Sequence, residues 1–400
     1  MNEKNIELAD VFRLGFSDYA VQNGPLSNHH YKVVNALLSC HTSSLGGHVY
    51  RCEQCGHEKI SYNSCRNRHC PSCQATARAQ WVERRMKELL PVPYFHVVFT
   101  VPAPLNPFAL RNKEVFYNIL FQAASETLQT LAGNPKRLGA EIGFIAILHT
   151  WGQNLLDHPH LHCVVPAGGL AEDRAQWKKI PYGNFLFPVK VMSALFRGKF
   201  LDMFKEAVDN KEILFHGVLE EYKDPREFSA LLNSLYESDW VVYAKAPFAG
   251  PKAVLKYLGR YTHRIAIANS RLVEITDTHV SFSWKDYSDG NKQKVMTLTH
   301  LEFIRRFLLH IVPHGFVRIR YYGFLSQAAK KEKLSRCMEL LGQKPLVPLS
   351  DDIDKKAWDL LLKELCGIDP WQCPLCNKGR LVPYREIPRP QRKERLSLVA

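Results

Sequence analysis

The sequence predicts an α+β fold in which a central mixed or antiparallel sheet carries helices. An N-terminal helical, cysteine-rich module and a helical, basic C-terminal region flank it. Three observations support this reading. Short apolar runs of strand length recur between residues 94 and 287, interleaved with longer stretches at helical spacing. Nine of the eleven cysteines lie in two clusters, at 40–73 and 366–376. The tail at 378–400 holds seven arginines and lysines against two glutamates, with prolines that disfavour a helix.

The chain has 400 residues, enough for two or three domains with sizeable cores. Hydrophobic content of 46% and charged content of 23% are those of a globular protein in water. The apolar runs are far too short to span a bilayer, and the first twenty residues lack a signal-peptide core, so a cytoplasmic protein is expected. Lysine and arginine outnumber aspartate and glutamate by 53 to 39, a net charge of +14 that favours a polyanionic partner.

Along the chain, residues 1–38 read as helical, with Leu8, Val11 and Phe12 and then Tyr31, Val34, Leu37 and Leu38 in register. The cysteine-rich segment follows. A charged helix at 75–90 ends at Pro91-Val92-Pro93, where a domain boundary is expected. "YFHVVFTVP" (94–102) reads as a strand and 107–131 as a long helix closed by Gly133. "IGFIAILHTWG" (142–152) and "HLHCVVPAGGL" (160–170) read as strands, 191–208 as a helix and "DWVVYAKAPF" (239–248) as a strand. "GPKAVLKYLGRYTHR" (250–264) reads as a helix with Pro251 in its first turn. "IAIANSRLVEIT" and "HVSFSWKDY" alternate like strands, and 299–309 and 324–341 read as helices. The expected domains are 1–92, helical and metal-binding; 93–300, catalytic; 301–365, helical; and 366–400, a Cys-x-x-Cys pair with a basic tail.

Cys52-Glu-Gln-Cys55 and Cys70-Pro-Ser-Cys73 are two knuckles fourteen residues apart. Each offers two thiolates to a tetrahedral ion, so the spacing predicts a structural zinc on Cys52, Cys55, Cys70 and Cys73. Cys40, His48, Cys65 and His69 supply donors for a second zinc; equally, Cys40 reads as a small buried hydrophobe and the histidines as surface residues. Cys373-Pro-Leu-Cys376 is half a site, which Cys366 and Cys337 would complete, or a vestige.

His158, His160 and His162 stand at alternate positions, and alternate residues of a strand face one side. Two neutral imidazoles leave a divalent ion open to a third polar ligand and to substrate oxygens. Gln153, Asp157 and His158 are the candidates for that ligand. A phosphodiester is the substrate a basic, zinc-holding protein suggests. Tyr257 and Tyr261, four apart in an expected helix, present two hydroxyls on one face, although they also fit an ordinary apolar stripe with Val254 and Leu258. Lys256, Arg260, His263 and Arg264 flank them, as a site for a scissile phosphate requires.

The His160-Leu161-His162 pair, preceded by Gln153 and followed by the Tyr-x-x-x-Tyr helix, resembles the HUH superfamily of single-strand DNA endonucleases. With "YNSCRNRHCPSCQ" and "HTWGQNLLDHPHLHCVVPAGGL", the sequence looks like the two-tyrosine rolling-circle transposases of bacterial insertion sequences, which carry an N-terminal zinc-binding domain. The resemblance implies that His160, His162 and Gln153 hold Mg²⁺ or Mn²⁺ and that Tyr257 and Tyr261 are nucleophiles forming a 5′-phosphotyrosine. It implies single-stranded DNA at transposon ends and target as partner, with host replication and helicase functions opening the duplex. A phosphotyrosine conserves the bond energy, so no nucleotide cofactor is expected, in keeping with the lack of a P-loop motif. Three other readings fit parts of the pattern: a plasmid relaxase or replication initiator, a non-catalytic zinc-ribbon DNA-binding protein, and a phosphohydrolase using water.

Overall fold

In the computed structural model, residues 6–181, 185–245, 259, 266–344 and 369–390 are described. The chain divides into two units: 1–83 with 259–311 and 348–400, and 84–258 with 312–347. Elements are numbered in chain order.

The first unit opens with α1 (Leu8–Asn23) and α2 (Asn28–Ser39). The Glu7 backbone N–H donates to the Asp10 carboxylate at 3.0 Å, and the Ser27 hydroxyl accepts from the His30 N–H at 3.2 Å. Both helix starts are therefore capped by polar side chains in their first turns. α1 buries Leu8, Val11, Phe12 and Tyr19. Its partner is α8 (His300–Leu309), with the Phe12 and Phe307 rings edge to face at 5.3 Å. Gly15 permits this approach, since a β-carbon there would lie 2.6 Å from Cβ of His300. β9 (Leu272–Ile275), β10 (His279–Asp286) and β11 (Lys292–Thr299) form an antiparallel meander whose buried Phe282 packs on Phe303 of α8.

The cysteine-rich module is built on a three-stranded antiparallel sheet. β1 (Gly47–Cys52) is central, between β2 (Glu58–Tyr62) and β13 (Leu381–Ile387). α3 (Pro71–Met86) follows it.

The second unit is built on a five-stranded sheet of order β12-β4-β5-β3-β8, antiparallel at every pairing. Its strands are β3 (Tyr94–Thr100), β4 (Phe144–Trp151), β5 (Asp157–Pro166), β8 (Val242–Lys245) and β12 (Ile319–Tyr322). Phe95, Val97 and Phe99 of β3, Phe144, Ala146 and Leu148 of β4, and Leu161, Cys163 and Val165 of β5 all enter the hydrophobic core. That core is completed by α4 (Asn106–Arg111), α5 (Lys113–Gly133), α6 (Val189–Asp209) and α7 (Pro225–Glu237), which supply Phe108, Phe116, Phe200, Phe204 and Phe228. One sheet face is thus apolar and covered, and the residues at alternate positions point to the other. A short hairpin, β6 (Gly168–Leu170) with β7 (Trp177–Lys179), and α9 (Lys330–Leu340) complete the unit.

The central sheet is antiparallel throughout, one of the two arrangements expected. Two features differ from the sequence reading. The strands at 272–275 and 279–286 belong to the first unit, because their apolar face meets α8 and among the described residues they pair only with each other and β11. The region expected to be helical after 300 also returns a strand, β12, to the edge of the central sheet beside β4. Apart from Gly259, the expected helix at 250–264 lies outside the described residues, as do 345–368 and 391–400. Among the described residues no helix is long and apolar enough to cross a membrane.

Candidate functional site

Strand register gathers imidazoles on the face of the central sheet opposite the hydrophobic core. His160 pairs with His149 of β4 and Thr100 of β3, while His162 pairs with Ile147 and Val98. Paired residues of antiparallel strands share a face, so His149, His160 and His162 lie together, and His96 joins them from β3. Nitrogens of His149, His160 and His162 lie within 4.8 Å of one another.

Hydrogen bonds orient two of these rings. His160 Nδ1 meets the His158 carbonyl at 2.6 Å and must donate to it, which leaves Nε2 as the lone-pair nitrogen. His162 Nδ1 lies 2.7 Å from Nε2 of His96, whose ring is buried and stacked on that of His162 at 4.9 Å. If His162 donates there, its Nε2 also bears a lone pair. The two Nε2 atoms are 3.0 Å apart. Adjacent positions of an octahedral ion with bonds of about 2.1 Å are separated by about 3.0 Å, so the pair fits such an ion.

Burial keeps this cluster neutral. It lowers His160 to about 3 and His96 to about 4, and it holds His162 well below the ordinary imidazole range, with further depression from His149. Uncharged imidazole is the form that binds a metal.

Gln153 stands in the turn joining β4 to β5. Among the described histidine, cysteine, aspartate and glutamate side chains, the donor that joins His160 and His162 is His149. His158 is exposed at the start of β5. Asp157 is displaced from the histidines by strand parity. It interacts with Lys113 of α5, and burial raises its carboxyl to about 7 while lowering the Lys113 ammonium to about 8. Both Asp157 oxygens are buried without a hydrogen-bond partner among the described residues. A cavity of about 530 Å³ elsewhere in the unit, lined by Gln129, Glu141, Arg174 and Lys333, includes none of these histidines. Tyr257, Tyr261, Lys256, Arg260, His263 and Arg264 lie outside the described residues.

The thiols are sorted differently from the sequence expectation. Cys52, Cys55, Cys70 and Cys73 do not share one cluster. Cys70 and Cys73 group with Cys40 and Cys65, and Cys52 and Cys55 group with Cys373 and Cys376. The reason is local. α2 ends at Cys40, and Cys70 and Cys73 bracket the first turn of α3, whereas β1 delivers Cys52 opposite Leu381 of β13. In the first cluster, Cys73 Sγ lies 3.5 Å from both Cys40 and Cys65, and Cys70 lies 3.5 Å from Cys40. The two histidines expected beside Cys40 and Cys65 are not in the cluster. His48 is exposed on β1, and His69 is buried with Nδ1 against the Asn67 side chain at 3.1 Å. Cys337 is buried in α9 and belongs to neither group, and Cys366 lies outside the described residues.

A family model described as "Putative transposase" matches residues 143–333, and one described as "Transposase zinc-binding domain" matches residues 11–101. "Putative transposase y4qJ" of Sinorhizobium fredii is 51% identical over 376 residues, covering 94% of this chain and 94% of its own. The chain belongs to this transposase family. The "Transposase for insertion sequence element IS801" of Pseudomonas savastanoi pv. phaseolicola is 29% identical over 362 residues, 90% of this chain and 84% of its own. No solved structure matches the chain. The transposase match contains β4 and β5 with His149, His160 and His162, and the zinc-binding match contains the whole Cys40, Cys65, Cys70 and Cys73 cluster.

Proposed function

We propose that this transposase nicks and rejoins single-stranded DNA at insertion-sequence ends, in rolling-circle fashion, through a 5′-phosphotyrosine. The observation that supports it most is the group of three imidazoles on the face of the central sheet opposite its hydrophobic core, in a chain of a transposase family. A divalent ion held by His160, His162 and His149 or Gln153 would draw charge from the scissile phosphate.

The chain's own residues supply the rest. The hydroxyl of Tyr257 or Tyr261 attacks the phosphorus, a Tyr–O–P bond forms, and the bond from phosphorus to the 3′-oxygen breaks. The tyrosine proton passes to a base such as His263, and the departing 3′-oxygen takes a proton from water to become a hydroxyl. A 3′-hydroxyl then reverses the reaction on the phosphotyrosine and releases the tyrosine, so the bond energy is kept and no nucleotide cofactor is consumed. Lys256, Arg260 and Arg264 hold the phosphate, and His96 positions His162. A zinc on Cys40, Cys65, Cys70 and Cys73 stabilises the N-terminal module. Host replication and helicase functions supply the single strand.

Labelled oligonucleotides spanning the element's ends, incubated with Mn²⁺ or Mg²⁺, test this reading. Cleavage is expected with the ion and lost on chelation, and His160→Ala lowers it at least about 100-fold while single-strand binding through phosphate contacts persists. Undiminished cleavage in chelator would exclude the ion. Cleavage at a plasmid origin rather than at element ends would assign a relaxase or initiator.

A further inference from the structure

We propose that Cys52, Cys55, Cys373 and Cys376 form a second, closed zinc site that joins the two ends of the chain into one ribbon. Only half of this cluster falls within the matched zinc-binding segment, 11–101, and its other two thiols come from more than three hundred residues downstream.

The sulfur geometry suits a metal rather than disulfides. Cys52 Sγ lies 3.8 Å from Cys376 Sγ, Cys55 Sγ lies 3.6 Å from Cys373 Sγ, and all four fall within 4.8 Å of one another. Thiolates bound tetrahedrally at about 2.3 Å stand about 3.8 Å apart, whereas a disulfide needs about 2.05 Å.

The backbone gives an independent indication, because the two knuckles share one form. The Cys52 carbonyl accepts from the Gly56 N–H and the Cys373 carbonyl from the Asn377 N–H, both at 3.0 Å. The donor in each case has positive φ, +71° at Gly56 and +53° at Asn377. This turn brings both thiols of a knuckle to one side. The Gly379 N–H donates to Cys376 Sγ at 3.3 Å, which favours the thiolate. Gly379 also lacks room for a side chain, since a β-carbon would lie 2.4 Å from Cys52 Sγ.

Around the knuckles, β13 pairs with β1 from Gly47–Ile387 to Cys52–Leu381, and the Glu53 N–H donates to the Arg380 carbonyl at 3.1 Å. The apolar support is small: Leu381, with partly buried Tyr50, packs beside the thiols. A cluster with so little core needs a metal to close it. The site is distinct from the histidine cluster and does not depend on the catalytic reading.

The test is metal content of the purified full chain. Two zinc ions per chain are expected, and Cys373→Ser with Cys376→Ser leaves one. Cobalt exchanged into the wild type should give tetrahedral thiolate absorption of twice the intensity seen in that variant. Amide exchange at residues 381–387 should accelerate in the variant, while that at 28–39 should stay unchanged. After chelation and denaturation without reductant, all eleven cysteines should titrate as thiols. One zinc in the wild type, two in the double serine variant, or fewer than eleven titratable thiols would overturn the site. The wild-type stoichiometry and thiol count decide the matter even if the variant misfolds.

Discussion

His96 lies outside the alternating pattern that marks His160 and His162, yet its Nε2 is 2.7 Å from Nδ1 of His162. In the proposed site a ring so placed would orient the imidazole of His162, so His96→Leu should weaken metal binding about 10–100-fold. Calorimetric titration with Mn²⁺ measures this; unchanged affinity would leave His96 a packing residue. Its titration also has a direction. Burial holds His96 at about 4, below the ordinary imidazole value of about 6.5, so the unfolded chain takes up protons first on acidification. This contribution to stability is complete above pH ~6.5 and is lost as pH falls towards ~4. Asp157, raised to about 7, works in the opposite sense, so the comparison must be between variants. Relative to wild type, metal-free His96→Gln should gain stability as pH drops from 7 to 4, read by denaturant unfolding; a constant difference would contradict the shift. At this scale the sequence showed His160 and His162 through their alternation. His149 and His96 each stand alone in an apolar run that nothing in the sequence marks, because only cross-strand register brings them to the pair.

At the scale of elements, the edge of the central sheet depends on one tight junction. Gly323 follows β12 with φ of +56°, and a β-carbon there would lie 1.7 Å from the Ile142 carbonyl oxygen. Gly323→Ala should therefore destabilise the second unit by about 1–3 kcal/mol from backbone strain alone, with the clash adding to it. Denaturant unfolding checks this, and a loss below about 0.5 kcal/mol would show that the junction can relax. β12 was hidden in the sequence because Ile319–Tyr322 is only four residues and alternates weakly. The longer, apolar strands β3, β4 and β5 were legible, since one face of each enters a core large enough to demand periodicity. The cysteine pairing was not. Knuckle spacing identifies ligands two at a time, and which pairs meet depends on β13 returning to β1.

Across the whole molecule, a net charge of +14 sets the mode of DNA binding. Single-strand affinity should fall linearly with the logarithm of salt concentration, with a slope of about −0.7 for each phosphate neutralised. A salt-independent affinity would remove the phosphate contacts from the account. The most direct measurement is of the covalent intermediate itself. Incubated with single-stranded element ends and Mn²⁺, the protein should yield an adduct that survives boiling on denaturing gels, and peptide mapping should place it on Tyr257 or Tyr261. Phenylalanine at both positions removes only hydroxyls, so binding should persist and the adduct vanish. An adduct that persists in the double variant or maps to another residue, or cleavage without any adduct, would contradict the two-tyrosine mechanism.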